Sequence, residues 1–293
     1  MTVDRKLVGA GTALATPFTH TGTLDEAALR AFVAWQVDEG IDFVVPCGST
    51  GEAATMSLAE QRRVVEITVE VVNGRVPVVA GAGANDTARA IELSHAMRDA
   101  GATHLLHVSP MYNKPPQRGI VAHFRAIADV AGLPVVVYNV PGRTGSNVTA
   151  ETTLELAEHG NICAVKEASG NLAQIGEILR HRPAHFSVLS GDDGLTLAIM
   201  AEGGDGVISV TSNATPALVA RLCAEARHGD YDDARAINSR LAPWTSAAFV
   251  ESNPIPVKAA LAMMGKMTNH LRLPLVPLLA HHDATVRAAL EAA

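Results

Sequence analysis

The sequence has little that would support a disulfide framework or a membrane span. Its three cysteines, Cys47, Cys163 and Cys223, are far apart and odd in number, so we predict reduced thiols rather than disulfides or a paired zinc motif. No apolar run approaches the ~18 residues that a transmembrane helix needs. The start of the chain also lacks the apolar block that follows the charges of a secretory signal. These absences predict a cytoplasmic protein.

Clusters of basic residues are missing as well. The chain has 23 Lys and Arg against 30 Asp and Glu, for a net charge of -7. This balance argues against nucleic acid and anionic membranes as partners. Small-molecule chemistry is the class of function that remains.

The signatures of metal and nucleotide sites are also incomplete. The 12 histidines include no HExxH string, and His104 and His107, three positions apart in a predicted strand, face opposite sides of it. The string GAGAND lacks the third glycine of a dinucleotide-binding fingerprint, and GSTGEA lacks the Gly-Lys-Ser/Thr of a phosphate-binding P-loop. These strings therefore predict neither a metal site nor a nucleotide site.

What the chain does contain is a regular alternation of short apolar strands with helical segments. The strand-like runs begin near residues 11, 41, 76, 103, 134, 162, 186 and 206. Strands separated by helices pair in parallel, so eight such units predict a (β/α)8 TIM barrel. We assign residues 1–224 to the catalytic barrel and residues 225–293 to a C-terminal helical extension. An open, doubly wound parallel sheet is the alternative.

A barrel would place the chemistry where strands end and the following loops begin. The strings PCGSTGEA, SPMYNKPP, YNVPGRTG, SGDD and SVTSN all follow predicted strands, and Lys166 ends the sixth. Strict alternation puts Ile162, Ala164 and Lys166 on one face of that strand, and Cys163 and Val165 on the other. Lys166 is therefore predicted to point into the barrel mouth.

A lysine at the end of an apolar strand has two interpretations. It can pair with an acid such as Glu167, or it can be a nucleophile whose pKa is lowered by burial and which forms a Schiff base with a ketone. The second role requires proton donors nearby. Two of the three tyrosines, Tyr112 and Tyr138, follow or end the fourth and fifth strands, although either one could also be a core residue.

The segment Gly48–Glu52, GSTGE, offers a different kind of site. Its glycine-flanked backbone N–H groups and the hydroxyls of Ser49 and Thr50 precede a helix that begins near Ser57. Such groups suit a carboxylate ligand. The same string is also common in ordinary loops and helix caps.

Taken together, the motifs GSTGEA, YNVPGRTG, KEASGN, LSGDD, GVISVTSN and NPIPVK, in this order, resemble the dihydrodipicolinate synthases of the N-acetylneuraminate lyase superfamily of Schiff-base aldolases. The resemblance implies that Lys166 condenses with the ketone of pyruvate and that Tyr138 is the general acid and base. It implies that Ser49 relays protons between Tyr138 and Tyr112, which a neighbouring subunit of a tight dimer contributes. The resemblance further implies a homo-oligomer, a tetramer built from two dimers, and an activity that needs no cofactor.

The same resemblance assigns substrate contacts. Gly48 and Thr50 belong to the loop that receives the carboxylate of pyruvate, and Gly191 and Ile208 match positions that line the pyruvate pocket through backbone atoms. Arg143 matches the arginine that binds the carboxylate of L-aspartate 4-semialdehyde. The chain departs from most synthases at Ser49, because most synthases have threonine at this position and sialic acid lyases have serine. Sialic acid lyases, however, have no arginine at the position of Arg143. Another pyruvate-dependent aldolase and a non-catalytic keto-acid sensor are the alternatives.

A second departure concerns feedback inhibition. Lysine-inhibited members of the family bind L-lysine at the tight-dimer interface through two histidines, an acid and a tyrosine. At the matching positions this chain has Leu58, Gln61, Arg89 and Met111, and it retains Asn85. An arginine in place of the acid repels a ligand with two ammonium groups. We therefore predict that lysine does not regulate this protein.

Overall fold

The computed structural model describes residues 6–293, and its core is a sheet of eight parallel strands. The strands are β1 Gly9–Ala13, β2 Phe43–Val45, β3 Val79–Gly81, β4 His104–Val108, β5 Val135–Asn139, β6 Ile162–Glu167, β7 Ser187–Ser190 and β8 Gly206–Ser209. Their order is β2-β1-β8-β7-β6-β5-β4-β3. A parallel bridge between Val44 and Val78 joins the two outer strands. The sheet thus closes on itself, which confirms the (β/α)8 barrel over an open sheet.

Helices alternate with these strands and continue beyond β8. They are α1 Glu26–Asp38, α2 Leu58–Val72, α3 Thr87–Asp99, α4 Gln117–Val130, α5 Pro141–Thr144, α6 Ala150–Ala157, α7 Leu172–His181, α8 Thr196–Ala201, α9 Pro216–His228, α10 Tyr231–Ala247, α11 Ile255–Met263 and α12 Asp283–Ala292. Ser57 and Glu60 form a reciprocal capping box at the start of α2, where the sequence predicts a helix to begin.

The division of the chain into a barrel and an extension stays a proposal, and residues 1–5 of the first part lie outside the described residues. Within residues 6–293, no helix is long and apolar enough to cross a membrane. Cys47, Cys163 and Cys223 are buried and form no disulfide within these residues. Burial raises the pKa of Cys47 to about 12, so this thiol is a poor nucleophile.

Side chains fill the barrel interior in a small apolar cluster that is separate from the larger one between strands and helices. The inner cluster consists of Leu7, Ala13, Phe43, Val45, Val79, Leu106, Val136, Tyr138, Val140, Cys163, Ala164, Leu189 and Ile208. Gly11 allows this packing, because a Cβ there would lie 2.0 Å from a ring carbon of Phe43. The barrel is therefore a packed core whose open end alone can admit a ligand.

Strand β6 departs from the strict alternation predicted for it. Val136 of β5 pairs with Ala164 rather than with Cys163, because the register shifts at this point. Cys163 packs in the barrel interior, while Ile162 packs in the outer cluster. The prediction that Ile162 shares a face with Lys166 and that Cys163 faces away is thus wrong. Ala164 and Lys166 do share the inner face, because the irregularity lies before them.

Candidate active site

Lys166 is the next-to-last residue of β6 and lies on the inner face of the barrel, opposite Tyr138 of β5 in the strand register. Its side chain is 5% exposed, and its Nζ lies 4.2 Å from the centroid of the Tyr138 ring. Burial lowers the pKa of Lys166 from 10.5 to about 8; the negative charge of Asp193 opposes this shift and Arg143 adds to it. Near neutral pH a minority of the amine is therefore uncharged, a far larger fraction than in an exposed lysine, and able to attack a carbonyl carbon.

Gly191, directly after β7, makes room for this lysine. A Cβ at Gly191 would lie 3.0 Å from both Cγ and Cε of Lys166. The N–H of Gly191 donates to the carbonyl of Glu167 at 2.8 Å, which fixes the backbone beside the amine. Ile208 of β8 is fully buried in the same interior cluster. Gly191 thus adjoins Lys166 and Ile208 lies in the barrel interior; their contact with substrate stays a prediction.

Glu167 does not pair with Lys166. Its carboxylate accepts hydrogen bonds from the side-chain amides of Asn139 and Gln174, each at 3.1 Å, and from the N–H of Ser169 at 2.7 Å. The ion-pair interpretation of Lys166 is therefore wrong, because successive residues of a strand point to opposite faces. The buried carboxylate instead links the ends of β5 and β6 from outside the barrel.

Tyr138 is buried and close to a guanidinium group. Burial raises the pKa of Tyr138 to about 12, and the positive charge of Arg143 opposes that shift. The hydroxyl therefore remains protonated near neutral pH and can donate a proton to a developing alkoxide or amine. Arg143 lies on α5, the short helix that follows β5, and its Nη2 donates to the carbonyl of Asn253 at 3.2 Å.

The loop Gly48–Glu52 offers donors that are already in place. The N–H groups of Gly51 and Glu52 donate to the carbonyls of Gly48 and Ser49, both at 3.1 Å. Among the described residues, no backbone bond uses the N–H of Ser49 or Thr50. Thr50 is buried, and its Oγ1 accepts a hydrogen bond from the Asn253 amide at 2.8 Å, so its own O–H can donate. These groups can hold a small carboxylate.

Tyr112 lies at the same rim, but its ring is turned to solvent. Its backbone has φ +72°, and its N–H donates to the carbonyl of Thr144 at 3.3 Å. The side chain is 89% exposed, and Ser49 is exposed as well. In the described part of the chain, the one tyrosine hydroxyl that makes a hydrogen bond is that of Tyr231, so no such bond joins the hydroxyls of Tyr112, Ser49 and Tyr138. The predicted relay is thus not assembled by a single chain.

Two residues at the site had no role in the sequence-based prediction. Asn253 contacts both Arg143 and Thr50, and its only signal is the string NPIPVK. The buried carboxylate of Asp193 accepts bonds from the hydroxyls of Ser209 at 2.5 Å and Thr211 at 2.6 Å. It thereby fixes the end of β8 against β7. The corresponding sequence signals are the second acid of SGDD and the hydroxyl residues of SVTSN.

The fold and the site define an enzyme class, the barrel aldolases that activate a ketone through a lysine Schiff base. The chain matches the model of the dihydrodipicolinate synthetase family over residues 6–293, and it belongs to that family. A 4-hydroxy-tetrahydrodipicolinate synthase of Chlorobium limicola is 49% identical over 98% of this chain and 97% of its own length.

Solved structures give the same result. A dihydrodipicolinate synthase from Aquifex aeolicus superimposes with a TM-score of 0.95 at 40% identity, covering 97% of each chain. A synthase from Cyanidioschyzon merolae with lysine bound superimposes with a TM-score of 0.94 at 42% identity, again over 97% of each chain. The family resemblance of the motifs is therefore confirmed over the full barrel and the C-terminal helices.

Lys166 should carry the reactive amine. Pyruvate plus borohydride should leave a reduced adduct on Lys166, detected by peptide mass spectrometry, and the Lys166→Ala variant should show none. The rate of adduct formation should rise as the pH approaches about 8 and level off above it, whereas an ordinary lysine would keep gaining reactivity up to pH ~10.4. Labelling at another lysine would refute the assignment.

Tyr138 should supply proton transfer. Tyr138→Phe removes the hydroxyl and leaves the ring beside Lys166, so kcat should fall by ~10²-fold or more. Tyr112→Phe should have an effect of similar size, while Ser49→Thr should be tolerated and Ser49→Ala should not. Tyr231→Phe is the matched control, since its hydroxyl bonds the carbonyl of Met200. Near-normal turnover of both tyrosine variants would exclude the relay.

Proposed function

We propose that the protein condenses pyruvate with L-aspartate 4-semialdehyde to form 4-hydroxy-tetrahydrodipicolinate, in the pathway to diaminopimelate and lysine. The observation that carries the proposal is the buried Lys166 amine, with its pKa lowered to about 8 and its Nζ against the Tyr138 ring. Membership of the dihydrodipicolinate synthetase family supports the choice of reaction.

The reaction begins when the neutral amine of Lys166 attacks the ketone of pyruvate. Tyr138 transfers protons as the carbinolamine loses water, which leaves an iminium ion. Loss of a methyl proton gives an enamine, and the iminium nitrogen accepts the electrons, so the chemistry requires no metal or cofactor. The enamine attacks the aldehyde of the second substrate. The amine of the semialdehyde substrate then attacks the iminium carbon and displaces Lys166 as the ring closes, which regenerates the free lysine.

The carboxylate of pyruvate occupies the loop Gly48–Glu52 in this proposal. The free N–H groups of Ser49 and Thr50 and their hydroxyls point to a site for an anion, and the backbone at Gly191 and Ile208 lines the opposite side. The carboxylate of the semialdehyde pairs with Arg143 at the rim. A guanidinium can bind a carboxylate through two parallel hydrogen bonds, which a neutral polyol would match less well.

The functional form is a homo-oligomer in this proposal, a tetramer composed of two tight dimers. Support comes from Tyr112, a residue that is 89% exposed in one chain although it belongs to the predicted proton relay. Large exposed aromatic side chains are typical of protein interfaces. A second copy that supplies Tyr112 to the site of the first would complete the relay between Tyr138 and bulk solvent.

An assay with purified candidate aldehydes tests the function directly. With pyruvate held constant, turnover should be highest with L-aspartate 4-semialdehyde, and sialic acid should not be cleaved. Proficient cleavage of a sugar acid or another hydroxy-oxo acid would instead assign the protein to a different aldolase branch. An adduct with pyruvate but no turnover with any aldehyde would indicate the alternative function, a non-catalytic keto-acid sensor.

Arg143 should select the second substrate. Arg143→Ala should lower kcat/KM for the semialdehyde. The lost transition-state stabilisation calculated from the ratio of the two values should be ~2 kcal/mol or more, because a charge-assisted pair is lost. The affinity for pyruvate should change much less, measured as the concentration that gives half-maximal borohydride trapping. Arg143→Lys keeps the charge without the planar fork and should recover part of the loss. Equal effects on both substrates would argue against this role.

Lysine should barely inhibit the enzyme at millimolar concentration. Arg89 pairs with Glu92 at 2.5 Å and repels the ammonium groups of the ligand. The amide nitrogen of Gln61 donates to the carbonyls of Ala53 at 3.0 Å and Met56 at 3.2 Å, so it is engaged by its own chain. Titration calorimetry with L-lysine should therefore show negligible heat.

The positive control for lysine binding is the Cyanidioschyzon merolae synthase, whose structure contains bound lysine. Inhibition of the present enzyme at tens of micromolar lysine, relieved by Arg89→Ala, would contradict the prediction. It would mean that the residues around Arg89 form an altered lysine site rather than a lost one.

A further inference from the structure

We propose that a buried ion pair between Glu52 and Lys258 positions the carboxylate-binding loop Gly48–Glu52, so that α11 of the C-terminal segment determines the affinity for pyruvate. The inference rests on the proposed function in one respect, the assignment of this loop to the pyruvate carboxylate. Glu52 and Lys258 would act through Ser49 and Thr50 and not on the reacting atoms, which makes them positioning residues.

The pair is short and completely enclosed. Nζ of Lys258 lies 2.6 Å from Oε1 of Glu52, and both side chains are 0% exposed. The second carboxylate oxygen accepts a hydrogen bond from the N–H of Arg272 at 2.9 Å. The ring of Phe18 lies beside the ammonium group, with its centroid 4.4 Å from Nζ. Each charge therefore has specific partners, as burial of an ion pair requires.

The pair is attached directly to the residues that face the ligand. Glu52 ends the loop with φ +55°, a left-handed conformation that is uncommon for a residue with a side chain and that needs support from its surroundings. Its N–H closes the turn onto the carbonyl of Ser49 at 3.1 Å. A rotation at Glu52 would therefore redirect the N–H groups of Ser49 and Thr50.

A second bond from the same C-terminal segment holds the middle of the loop. The Asn253 amide donates to Oγ1 of Thr50 at 2.8 Å, just before α11 begins at Ile255. The residues preceding α11 and the first turn of α11 thus reach both Thr50 and Glu52. With two attachment points, the loop has one defined conformation relative to the barrel strands.

Fold stability alone does not explain why charged groups occupy this position. Desolvation of a buried ion pair offsets much of its Coulomb attraction, and apolar residues of similar volume are often as stable or more so. An ion pair does, however, specify direction, because it is satisfied only when the carboxylate faces the ammonium group. The geometry at Glu52 and Lys258 therefore indicates that the ion pair favours one conformation of the loop over others.

The test compares a double variant, Glu52→Gln with Lys258→Met, with the native enzyme. This variant leaves neither charge buried and unpaired, so we expect it to fold, as measured by circular dichroism and thermal unfolding. The pyruvate concentration for half-maximal borohydride trapping should rise about tenfold or more, the effect expected when oriented donors are displaced. Full labelling of Lys166 at saturating pyruvate should persist.

The matched control is Arg182→Met, which removes an ion pair with Asp205 on the side of the barrel away from the loop. It should lower the melting temperature and leave the affinity for pyruvate within about twofold of the native value. A folded double variant with native affinity for pyruvate would overturn the proposal. Failure of the double variant to fold would also overturn it, by showing that the pair serves folding.

A substrate-independent measurement separates this proposal from the proposed function. Amide hydrogen exchange at Gly51 and Glu52, whose N–H groups donate to the carbonyls of Gly48 and Ser49, should be faster in the double variant than in Arg182→Met. If the native enzyme forms no adduct with pyruvate, the proposed function fails, and the exchange rates still decide whether Glu52 and Lys258 hold the loop. Equal exchange in the two variants would refute the positioning role.

Discussion

The active site depends on one constraint, the enclosure of the Lys166 amine among apolar barrel residues. Burial disfavours the ammonium form and brings the pKa to about 8, while the adjacent Tyr138 hydroxyl stays protonated for the same reason. One desolvated environment thus makes the amine easier to deprotonate and keeps the hydroxyl available as a proton donor. The polar residues around the pair adjust this balance, since Asp193 and Arg143 have opposite effects on the amine.

Several buried polar side chains near Lys166 bind other protein groups and thereby fix the ends of strands and loops at the site. Glu167 joins the ends of β5 and β6 from outside, Asp193 joins β7 to β8, and Asn253 contacts both α5 and the loop that contains Thr50. The carboxylates of Glu167 and Asp193 are buried and hydrogen-bonded at both oxygens, whereas Oδ1 of Asn253 is buried without a hydrogen bond in the described part of the chain. Such contacts keep reacting groups within the small tolerances that catalysis demands. The segment just before α11 therefore contacts residues of the candidate site through Asn253.

Much of the fold and the site could be predicted from local sequence patterns. Alternating strands and helices indicate a barrel, and chemistry-bearing strings after successive strands converge at one end of it. The prediction for β6 was wrong at Ile162 and Cys163, because a register shift against β5 leaves no mark in the hydrophobic pattern of a strand that is apolar on both faces. The partner of Glu167 also escaped prediction, since Asn139 and Gln174 lie on other elements.

The sequence by itself determined the barrel, the position of Lys166 and the set of side chains at the rim, because strand period and the order of motifs are local properties. Only the tertiary structure decided which of these side chains meet. Glu52 and Lys258 are 206 positions apart, Thr50 and Asn253 are 203 apart, and no periodicity connects them. The exposure of Tyr112 was likewise decided by the fold, since burial is a property of packed surfaces rather than of residue type.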